Sequence, residues 1–535
     1  MKLNKLHAAV VAATAFASTG AFAGLNLNGI NPALPAVTPA MTINISGATA
    51  SDKGFKDVMD NLCVAGSLSI YTDTCTTGSD PACAGSTPKH PGNGYSAYFC
   101  TVDRTKVTGW SGTTNINVLF RKRSAGGSGW GVQPVANAAP ISMMALNPTN
   151  CKVTATADVY KCGSTTENVV ADLGISDAEP ALFKSPNVPA GFSSITNAQI
   201  ANLDVKTIAA LTFGIPVTNA LYGALQAAQG LDTDLDGDNI VEGTSETATQ
   251  AQILANMPSV SDDQIGALLK GSIGTWDSVS YGGTDLVTAA ANAGLPVPAN
   301  TSVTICRRVD GSGTQAVANA MFLNVPCNAD AGQAAADNTI CHSDKGAQNL
   351  AEADCTAGGA WARYADQRGL PAGEAVVFEN SGSGDVEFCL SDLQDIGTWA
   401  LGIQSLEKTS TKYSYLKING AAPTLQNVAT GNYLDWASST MQYRKALTAG
   451  IPAPTGNAKR IMDQLRVDFA KPAVLKPLND TFGSAFGPVG WLSASATPVL
   501  PFNPNLPVMQ FTRGASGMST CNAQVARGTF DMKKQ

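Results

Sequence analysis

The sequence has few charged residues, very few histidines and no cysteine pair of the metal-binding kind. Charged residues make up 14% of its 535 positions, and the three histidines are His7, His90 and His342. None of the twelve cysteines form a CxxC pair, so the sequence does not indicate a zinc site. No internal repeat is visible.

The sequence also lacks a long apolar run after its N-terminus. No such segment holds the roughly 18 apolar residues that a membrane-spanning helix needs, so we expect a protein that is not membrane-embedded. The N-terminus has Lys2, Lys5, the run AAVVAATAFA and the small residues AFA before Gly24, which is the pattern of a cleaved export signal. We expect residues 1–23 to be removed and the protein to be periplasmic or secreted. No cysteine follows the run, so a lipid anchor is not expected.

Positive charge is scarce. Without Lys2 and Lys5 the 34 basic residues become 32 against 41 acidic ones, a net charge near minus nine. A general attraction to nucleic acid or to anionic lipid is therefore not expected. An anion would have to be bound by a local site.

Cysteine, in contrast, is plentiful. An even number of cysteines in an exported chain favours disulfides over metal binding. The full connectivity stays open, but the spacing predicts local pairs: Cys151 with Cys162, Cys306 with Cys327, and Cys341 with Cys355.

Apolar strands alternate with helical segments, joined by glycine-rich turns, after a proline-rich, extended leader at 24–40. In SDKGFKDVMDNL, for example, Phe55, Val58 and Leu62 recur at helical intervals. This alternation predicts an α/β architecture with mostly parallel sheets. Four stretches interrupt it as insertions, and the first, rich in Cys, Gly, Ser and Thr, is expected to be a disulfide-tied surface segment. The insertions are 63–110, 136–165, 225–256 and 328–370.

The stretch CRRVDGSGTQ, residues 306–315, joins a predicted strand to a predicted helix. A glycine turn at a helix start leaves backbone N–H groups unpaired at the positive end of the helix dipole, where they can bind an anion. Ser312 and Thr314 add hydroxyls, and Arg308 can form a bidentate charged pair. Asp310 could hold that guanidinium. An ordinary polar turn before a capped helix is the alternative.

Three further turns have similar chemistry: SGAT at 46–49, SAGGSGWG at 124–131 and GISDAEP at 174–180. The last places Ser176 and Asp177 at a strand end. An ionised carboxylate only accepts hydrogen bonds, so an aspartate facing an anion indicates that the anion carries a proton. Phosphate near neutral pH keeps a proton and sulfate has none. Alone, Asp177 is also explained as a solvated turn residue or a helix cap. The RKR triplet at 121–123 either raises the potential at a cleft mouth or is a solvated strand end, and we expect the strand end.

These four turns, in this order, resemble those of the periplasmic phosphate-binding proteins of high-affinity phosphate ABC transporters. That family has an early GAT turn, a serine-glycine loop, a GASDAP-like strand end and an RADGSGT turn; SGAT, SGWGV, LGISDAEP and RRVDGSGT stand here. ALLKGSIGTWDSV, NSGSGDVEFCLSDLQDIGTWAL and WASSTMQY resemble three other family segments. Ala50 stands where the family has an aromatic residue after the GAT turn.

The resemblance implies a two-lobed, type II periplasmic-binding-protein fold with mostly parallel sheets and a ligand cleft between the lobes. Residues 41–221 and 437–535 would form lobe 1, and 222–436 lobe 2. The ligand would be inorganic phosphate and the partner an ABC permease, with no catalytic residue. Asp310 would orient Arg308, Ser176 would support the site, and Ser124 is the second choice for the loop serine. The implied phosphate contacts are Thr49, Ala50, Ser128, Asp177, Arg308, Ser312, Gly313 and Thr314.

The segment DTDLDGDNIVEG, residues 232–243, follows the DxDxDG pattern of a calcium loop. An EF-hand would have its bidentate acid at the twelfth position, which is Gly243 here. A solvated acidic turn is the alternative, and no cofactor is otherwise required. The candidate calcium ligands are Asp232, Asp234, Asp236, Asp238 and Glu242.

Two other functions stay open. A secreted phosphatase could use the same scaffold, although the turns contain no histidine and no carboxylate cluster for a two-metal site, and serines without a base are poor nucleophiles. A cell-surface or matrix protein with a vestigial anion site is the third hypothesis, supported by the insertions and cysteines.

Overall fold

The computed structural model describes residues 24–73, 94–154, 156–163, 165–234, 248–327, 339–342, 375–380, 382–482, 484–513 and 519–527. In this part of the chain the protein is a mixed α/β structure, as predicted, with two large sheets. None of its described helices is long and apolar enough to span a membrane. The predicted export signal and most of the 328–370 insertion lie outside the described residues.

The elements alternate between strands and helices along most of the chain. The strands are β1 Met41–Gly47, β2 Ser69–Thr72, β3 Tyr95–Val102, β4 Ile116–Arg123, β5 Pro140–Met144, β6 Cys151–Val153, β7 Val159–Cys162, β8 Thr166–Val170, β9 Leu173–Ser176, β10 Leu203–Gly214, β11 Pro216–Thr218, β12 Ser259–Val260, β13 Ser280–Tyr281, β14 Thr284–Asp285, β15 Thr304–Arg308, β16 Thr339–His342, β17 Val376–Asn380, β18 Ala400–Gly402, β19 Gln404–Ser405, β20 Tyr413–Tyr415, β21 Lys417–Ile418, β22 Trp436–Arg444, β23 Trp491–Ser493, β24 Phe511–Arg513 and β25 Gln524–Ala526. The α-helices are α1 Asp52–Leu62, α2 Gln133–Asn137, α3 Asn197–Ala201, α4 Asn219–Ala228, α5 Gln250–Asn256, α6 Asp262–Leu269, α7 Leu286–Asn292, α8 Gly313–Leu323, α9 Ser383–Asp395, α10 Leu425–Ala429, α11 Gly456–Asp468 and α12 Pro472–Asp480.

Local sequence explains where several helices begin. Thr196, Thr249 and Ser261 each accept a hydrogen bond from the backbone three residues on, where a glutamine returns the bond, so capping boxes start α3, α5 and α6. In α1 the apolar residues predicted to share one face, Phe55 and Leu62 among them, are all buried. The amphipathic pattern therefore packs that helix on the first sheet.

The first sheet has the strand order β19-β10-β22-β9-β1-β4-β3-β2-β7-β6, with β23 also paired to β10. The prediction of a mostly parallel sheet is wrong here, because the hairpins β2–β3 and β6–β7 and the long strands β10 and β22 make most of its strand pairs antiparallel. Its centre is parallel as predicted: β1 pairs with β4 on one side and with β9 on the other. Because these three strands run in the same direction, their carboxyl ends lie at one edge of the sheet. The SGAT turn, the serine loop and the SDAEP turn, which follow these ends, are thereby brought together.

The second sheet has the order β16-β17-β15-β18-β11-β20 and repeats this arrangement. Its centre is again parallel, with β15 between β17 and β18, and the strand beyond β18 is antiparallel. The Gly-Ser-Gly turn follows the carboxyl end of β15 and leads into α8, as predicted. Ser312 caps this helix by accepting a hydrogen bond from the N–H of Gln315.

The chain passes between the two sheets through short links. β10 of the first sheet continues after Ile215 into β11 of the second, and β18 continues after Ile403 into β19, which pairs with β10. The chain returns to the first sheet with β22, between β10 and β9. The division into lobes at 221/222 and 436/437 stays a prediction.

The cysteine pairing confirms one prediction and corrects another. Cys151 is bonded to Cys162, as its spacing predicted. The prediction of a Cys306–Cys327 pair is wrong, because Cys306 is bonded to Cys389 of α9, which packs against β15. The six residues between Cys306 and the start of α8 at Gly313 carry no information about which helix lies beneath β15. The two remaining described bonds are Cys63–Cys100 and Cys327–Cys521, and Cys355 lies outside the described residues.

Two sequence segments fold differently from their prediction. The 63–110 insertion contributes β2 and β3 to the first sheet, and its β3 residues are almost all buried. A strand covered on both faces shows no alternation of apolar and polar residues, which is why its periodicity was absent. The 24–40 leader turns back on itself, with Leu27 bridged to Val37, because the Asn26 side chain binds the carbonyl groups of Asn31 and Leu34.

Candidate functional site

The serine loop lies directly on the ends of β1 and β9. A side chain at Gly131 would place its Cβ 2.1 Å from the carbonyl oxygen of Ile175 and 2.8 Å from that of Ser46, so only glycine fits there. The Ser46 hydroxyl donates to the carbonyl of Trp130 at 2.8 Å. These contacts fix the loop at the edge where the three parallel strands end.

Ser128 and Asp177 form the centre of the candidate site. The backbone N–H of Asp177 donates to Ser128 Oγ at 3.0 Å, and Ser128 Oγ donates to Asp177 Oδ2 at 3.2 Å. Asp177 is only 3% exposed, yet its other oxygen, Oδ1, is buried and accepts no hydrogen bond from any described residue. Burial raises the pKa of the Asp177 carboxyl to about 7; Glu407 adds to the rise, while Arg308 and the Ser128 hydroxyl oppose it.

The glycine turn after β15 packs onto this pair from the second sheet. A Cβ at Gly313 would lie 2.4 Å from Ser128 Oγ and 3.1 Å from the Cβ of Asp177. The N–H of Gly129 donates to the carbonyl of Gly311 at 2.7 Å. The positive N-terminus of α8 therefore abuts Ser128 and Asp177, and the absence of a side chain at position 313 makes this approach sterically feasible.

Arg308 is buried at the end of β15. Its Nε donates to the carbonyl of Asn380 at 3.3 Å and its Nη1 to Ser383 Oγ at 3.1 Å. Burial lowers the pKa of the guanidinium, and Asp177, Asp385 and Glu407 partly oppose this. A charged donor thus lies within electrostatic reach of the Asp177 carboxyl.

Asp310 lies next to a different arginine. Its Oδ1 is 3.7 Å from Nη1 of Arg307, which also pairs with Glu379. This ion pair involves Arg307 and does not test whether Asp310 orients Arg308, so that role stays a prediction. Ser312 and Thr314, the other turn residues predicted to contact a ligand, are both buried at the start of α8.

The two candidate loop serines are placed differently. Ser124 Oγ donates to Asp52 Oδ1 at 2.8 Å and also contacts Lys122 Nζ, whereas Ser128 contacts Asp177. The supporting residue Ser176 closes its own turn, since its hydroxyl donates to the carbonyl of Ala178. Each serine thus contacts a buried carboxylate, and Ser128 is the one that contacts Asp177.

Lys122 holds the SGAT turn in place, a role that the sequence analysis missed. Its Nζ donates to the carbonyl groups of Gly47 at 3.1 Å and Ala48 at 2.9 Å, and it forms a buried ion pair with Asp52. Thr49, in the same turn, is partly buried and Ala50 is buried. The expectation that RKR is a solvated strand end is wrong for Lys122 and for Arg123, which are both buried. A lysine at a strand end gives no local sign of burial, because its partners come from another element.

Most of the residues predicted to bind calcium lie outside the described residues. The N–H of Asp232 donates to Asn256 Oδ1 at 3.1 Å, and that of Asp234 to Asp232 Oδ1 at 3.1 Å. No cluster of three potential metal ligands occurs among the residues that the structure describes. Asp236, Asp238 and Glu242 lie beyond the described range, so the calcium site stays a prediction.

Comparisons with known proteins give only remote similarities. No protein-family model and no curated protein matches the chain. Among solved structures, it is similar to PstS from Borrelia burgdorferi, with 10% identity, a TM-score of 0.31 and coverage of 83% of this chain and 97% of that one. It is also similar to an ABC-type phosphate transport receptor from Vibrio cholerae, with 13% identity, a TM-score of 0.26 and coverage of 56% and 74%. At TM-scores this low the similarities do not decide the function, which has to be inferred from the site residues.

Proposed function

We propose that the protein is an exported solute-binding protein that binds one inorganic phosphate ion between two lobes, one built on each sheet. Phosphate uptake or scavenging is the role of such a protein, and an ABC permease is the partner that uptake would require. The observation that carries the proposal is the Asp177 carboxylate, buried at the meeting point of glycine turns with one oxygen left without a hydrogen bond.

The chemistry of Asp177 selects among anions. A buried acceptor without a donor costs about 1–3 kcal/mol, and a ligand that supplies a hydrogen bond recovers it. Above pH 7 the Asp177 carboxylate is ionised, and phosphate still carries a proton that it can donate to Oδ1, whereas sulfate would bring a second acceptor and like charge against it. Asp177 therefore favours phosphate over sulfate.

Positive potential for the ligand comes from the second sheet. Arg308 supplies a full charge, and the N-terminus of α8 at Gly313 supplies unpaired backbone N–H groups. Gly313 lies beside Asp177, and Arg308 is close enough to interact with its charge, so we expect the ligand to contact the carboxylate and these donors at the same time. Burial of the arginine strengthens its attraction for an anion because solvent screening is weak there.

Isothermal titration calorimetry of the phosphate-stripped protein with phosphate and with sulfate tests the proposal. We expect phosphate to bind and sulfate to bind far more weakly, and we expect Asp177→Asn and Arg308→Ala to lose phosphate affinity. Asp172→Asn is a matched control, because Asp172 is a partly buried acid at the opposite end of β9 that accepts from the N–H of Asn44.

Two results would count against phosphate reception. Absence of phosphate binding by a folded, phosphate-free sample would contradict it directly. Hydrolysis of p-nitrophenyl phosphate that is lost with Ser128→Ala and persists through purification would instead favour the phosphatase alternative.

A further inference from the structure

Helix α8 connects the candidate site to a disulfide at its far end. Its first residue, Gly313, contacts Ser128 and Asp177, and four residues beyond its end Cys327 is bonded to Cys521. This bond joins positions 194 residues apart in the sequence. Helix α8 follows β15 of the second sheet. The part of the protein that contains Cys521 is therefore covalently joined to the C-terminal end of this helix.

Cys521 belongs to a C-terminal segment, here called the strap, formed by residues 511–513 and 519–527. The strap docks on the beginning of β22, which belongs to the first sheet. Gln524 accepts from Trp436 Nε1 at 3.2 Å, the Arg513 guanidinium lies 4.6 Å from the Trp436 ring centroid, and its Nη2 donates to the carbonyl of Leu434 at 2.6 Å. The strap is thus anchored to the first sheet by buried contacts.

The strap also binds the turn that carries Asp177. The Thr520 hydroxyl donates to Glu179 Oε2 at 2.8 Å, and the Thr520 N–H donates to Glu179 Oε1 at 2.5 Å. Glu179 is buried and lies two residues after Asp177. Thr520 and Cys521 are adjacent, so one short piece of chain holds the Asp177 turn and the end of α8 together.

A third contact lies midway along the helix. Asn319 Nδ2 donates to Asn187 Oδ1 at 2.7 Å, and both side chains are buried. The helix is therefore held to the segment after Asp177 at its N-terminus, near its middle and, through Cys327, at its C-terminus. Of the three contacts, the disulfide is the one that cannot dissociate reversibly on opening.

We propose that the Cys327–Cys521 bond makes the strap a covalent restraint that keeps α8 against the Asp177 turn. Release of a ligand from beneath α8 requires the helix to move away from Ser128 and Asp177. Because its C-terminal end is bonded to the strap, α8 can tilt but cannot move fully away from the Asp177 turn. The restraint slows ligand exchange and favours the closed arrangement without ligand. Its effect on phosphate exchange rests on the proposed function, whereas its effect on closure does not.

The test uses the Cys327→Ser/Cys521→Ser double variant of the full chain. Phosphate release, followed by stopped-flow with a phosphate-sensing fluorophore, should be faster by about tenfold or more, because without the bond α8 can move farther from the strap and reclosure then costs more conformational entropy. The matched control is Cys151→Ser/Cys162→Ser, which removes a disulfide in a hairpin at the edge of the first sheet. The control should release phosphate at the rate of the parent protein.

Hydrogen exchange of the ligand-free proteins separates this proposal from the proposed function. Peptides covering 126–131 and 309–316 should exchange faster in the double variant than in the control. If that occurs while the parent protein binds no phosphate, the strap proposal stands and the phosphate proposal fails. Unchanged exchange in a folded double variant overturns the strap proposal. If the double variant does not fold, Thr520→Ala replaces it, because this substitution keeps the disulfide and loses the hydroxyl bond to Glu179. Hydrogen exchange of the same two peptides should then be faster than in the parent protein, and unchanged exchange overturns the strap proposal.

Discussion

The substitution Asp177→Asn should stabilise the ligand-free protein while weakening phosphate binding. The carboxyl has its pKa raised from 3.8 to about 7, mainly by burial. Such a rise corresponds to about 4 kcal/mol of folding free energy. Because the folded state holds this proton more tightly than the unfolded chain does, the contribution is fully present below pH 4 and is lost as the pH rises through 7.

Asparagine has the same shape and no charge to desolvate, so this pH dependence should disappear. Urea unfolding of phosphate-free samples between pH 4 and pH 8 provides the measurement. At pH 8 the variant should be more stable than the parent by up to about 4 kcal/mol, and at pH 4 the two should nearly coincide. The control Asp172→Asn should leave the Asp177-dependent slope in place.

Asp177→Asn should lower phosphate affinity although it raises the free energy of unfolding. A hydrogen bond to a charged acceptor is worth about 1.5–3 kcal/mol, so calorimetry should show phosphate affinity reduced by about ten- to a hundredfold. Sulfate affinity should rise, since the repelling charge is gone. Identical pH profiles for parent and variant would refute the assignment of the raised pKa to Asp177. Unchanged discrimination between phosphate and sulfate would refute its role in selectivity.

Substitutions at Arg308, Lys122 and Gly313 test the surroundings of Asp177. Arg308→Ala should lower phosphate affinity in calorimetry by about a hundredfold, because a buried charged donor is lost, and Arg308→Lys should recover only part of it. Lys122→Met should destabilise the protein to urea by about 3–5 kcal/mol by leaving Asp52 buried without its partner, and adding Asp52→Asn should restore much of that loss; no loss would contradict the buried pair. Gly313→Ala should weaken phosphate binding, because its Cβ would lie 2.4 Å from Ser128 Oγ; unchanged affinity would show that α8 need not approach so closely.

The sequence predicted those features that depend on local residue pattern and on the direction of neighbouring strands. The strand, glycine turn and helix around Arg308 follow from local pattern, and parallel strands oblige the turns after β1, β4 and β9 to lie at one edge. The choice of Ser128 over Ser124 as a ligand contact followed from the motif and stays a prediction; the structure places Ser128 in contact with Asp177. These inferences needed no knowledge of how separate elements pack.

The failures share a physical origin. Lys122 is buried because Asp52 and two backbone carbonyl groups come to it from the turn and helix after β1. Cys306 pairs with Cys389 because α9, and not the end of α8, lies against β15. In both cases the deciding partner is distant in sequence and arrives through packing, which spacing along the chain does not encode.

The two buried acids of the SDAEP turn differ in how the protein satisfies them, and this difference supports our proposal that Asp177 binds the ligand. Both oxygens of Glu179 accept hydrogen bonds from Thr520, so that acid is satisfied by the protein and serves to attach the strap. Asp177, two residues earlier, has one oxygen bonded to Ser128 and the other buried without a donor. Folding tolerates few such groups, because each costs stability. In a turn that satisfies its other acid completely, the open oxygen of Asp177 is the position at which a protonated anion would complete the structure.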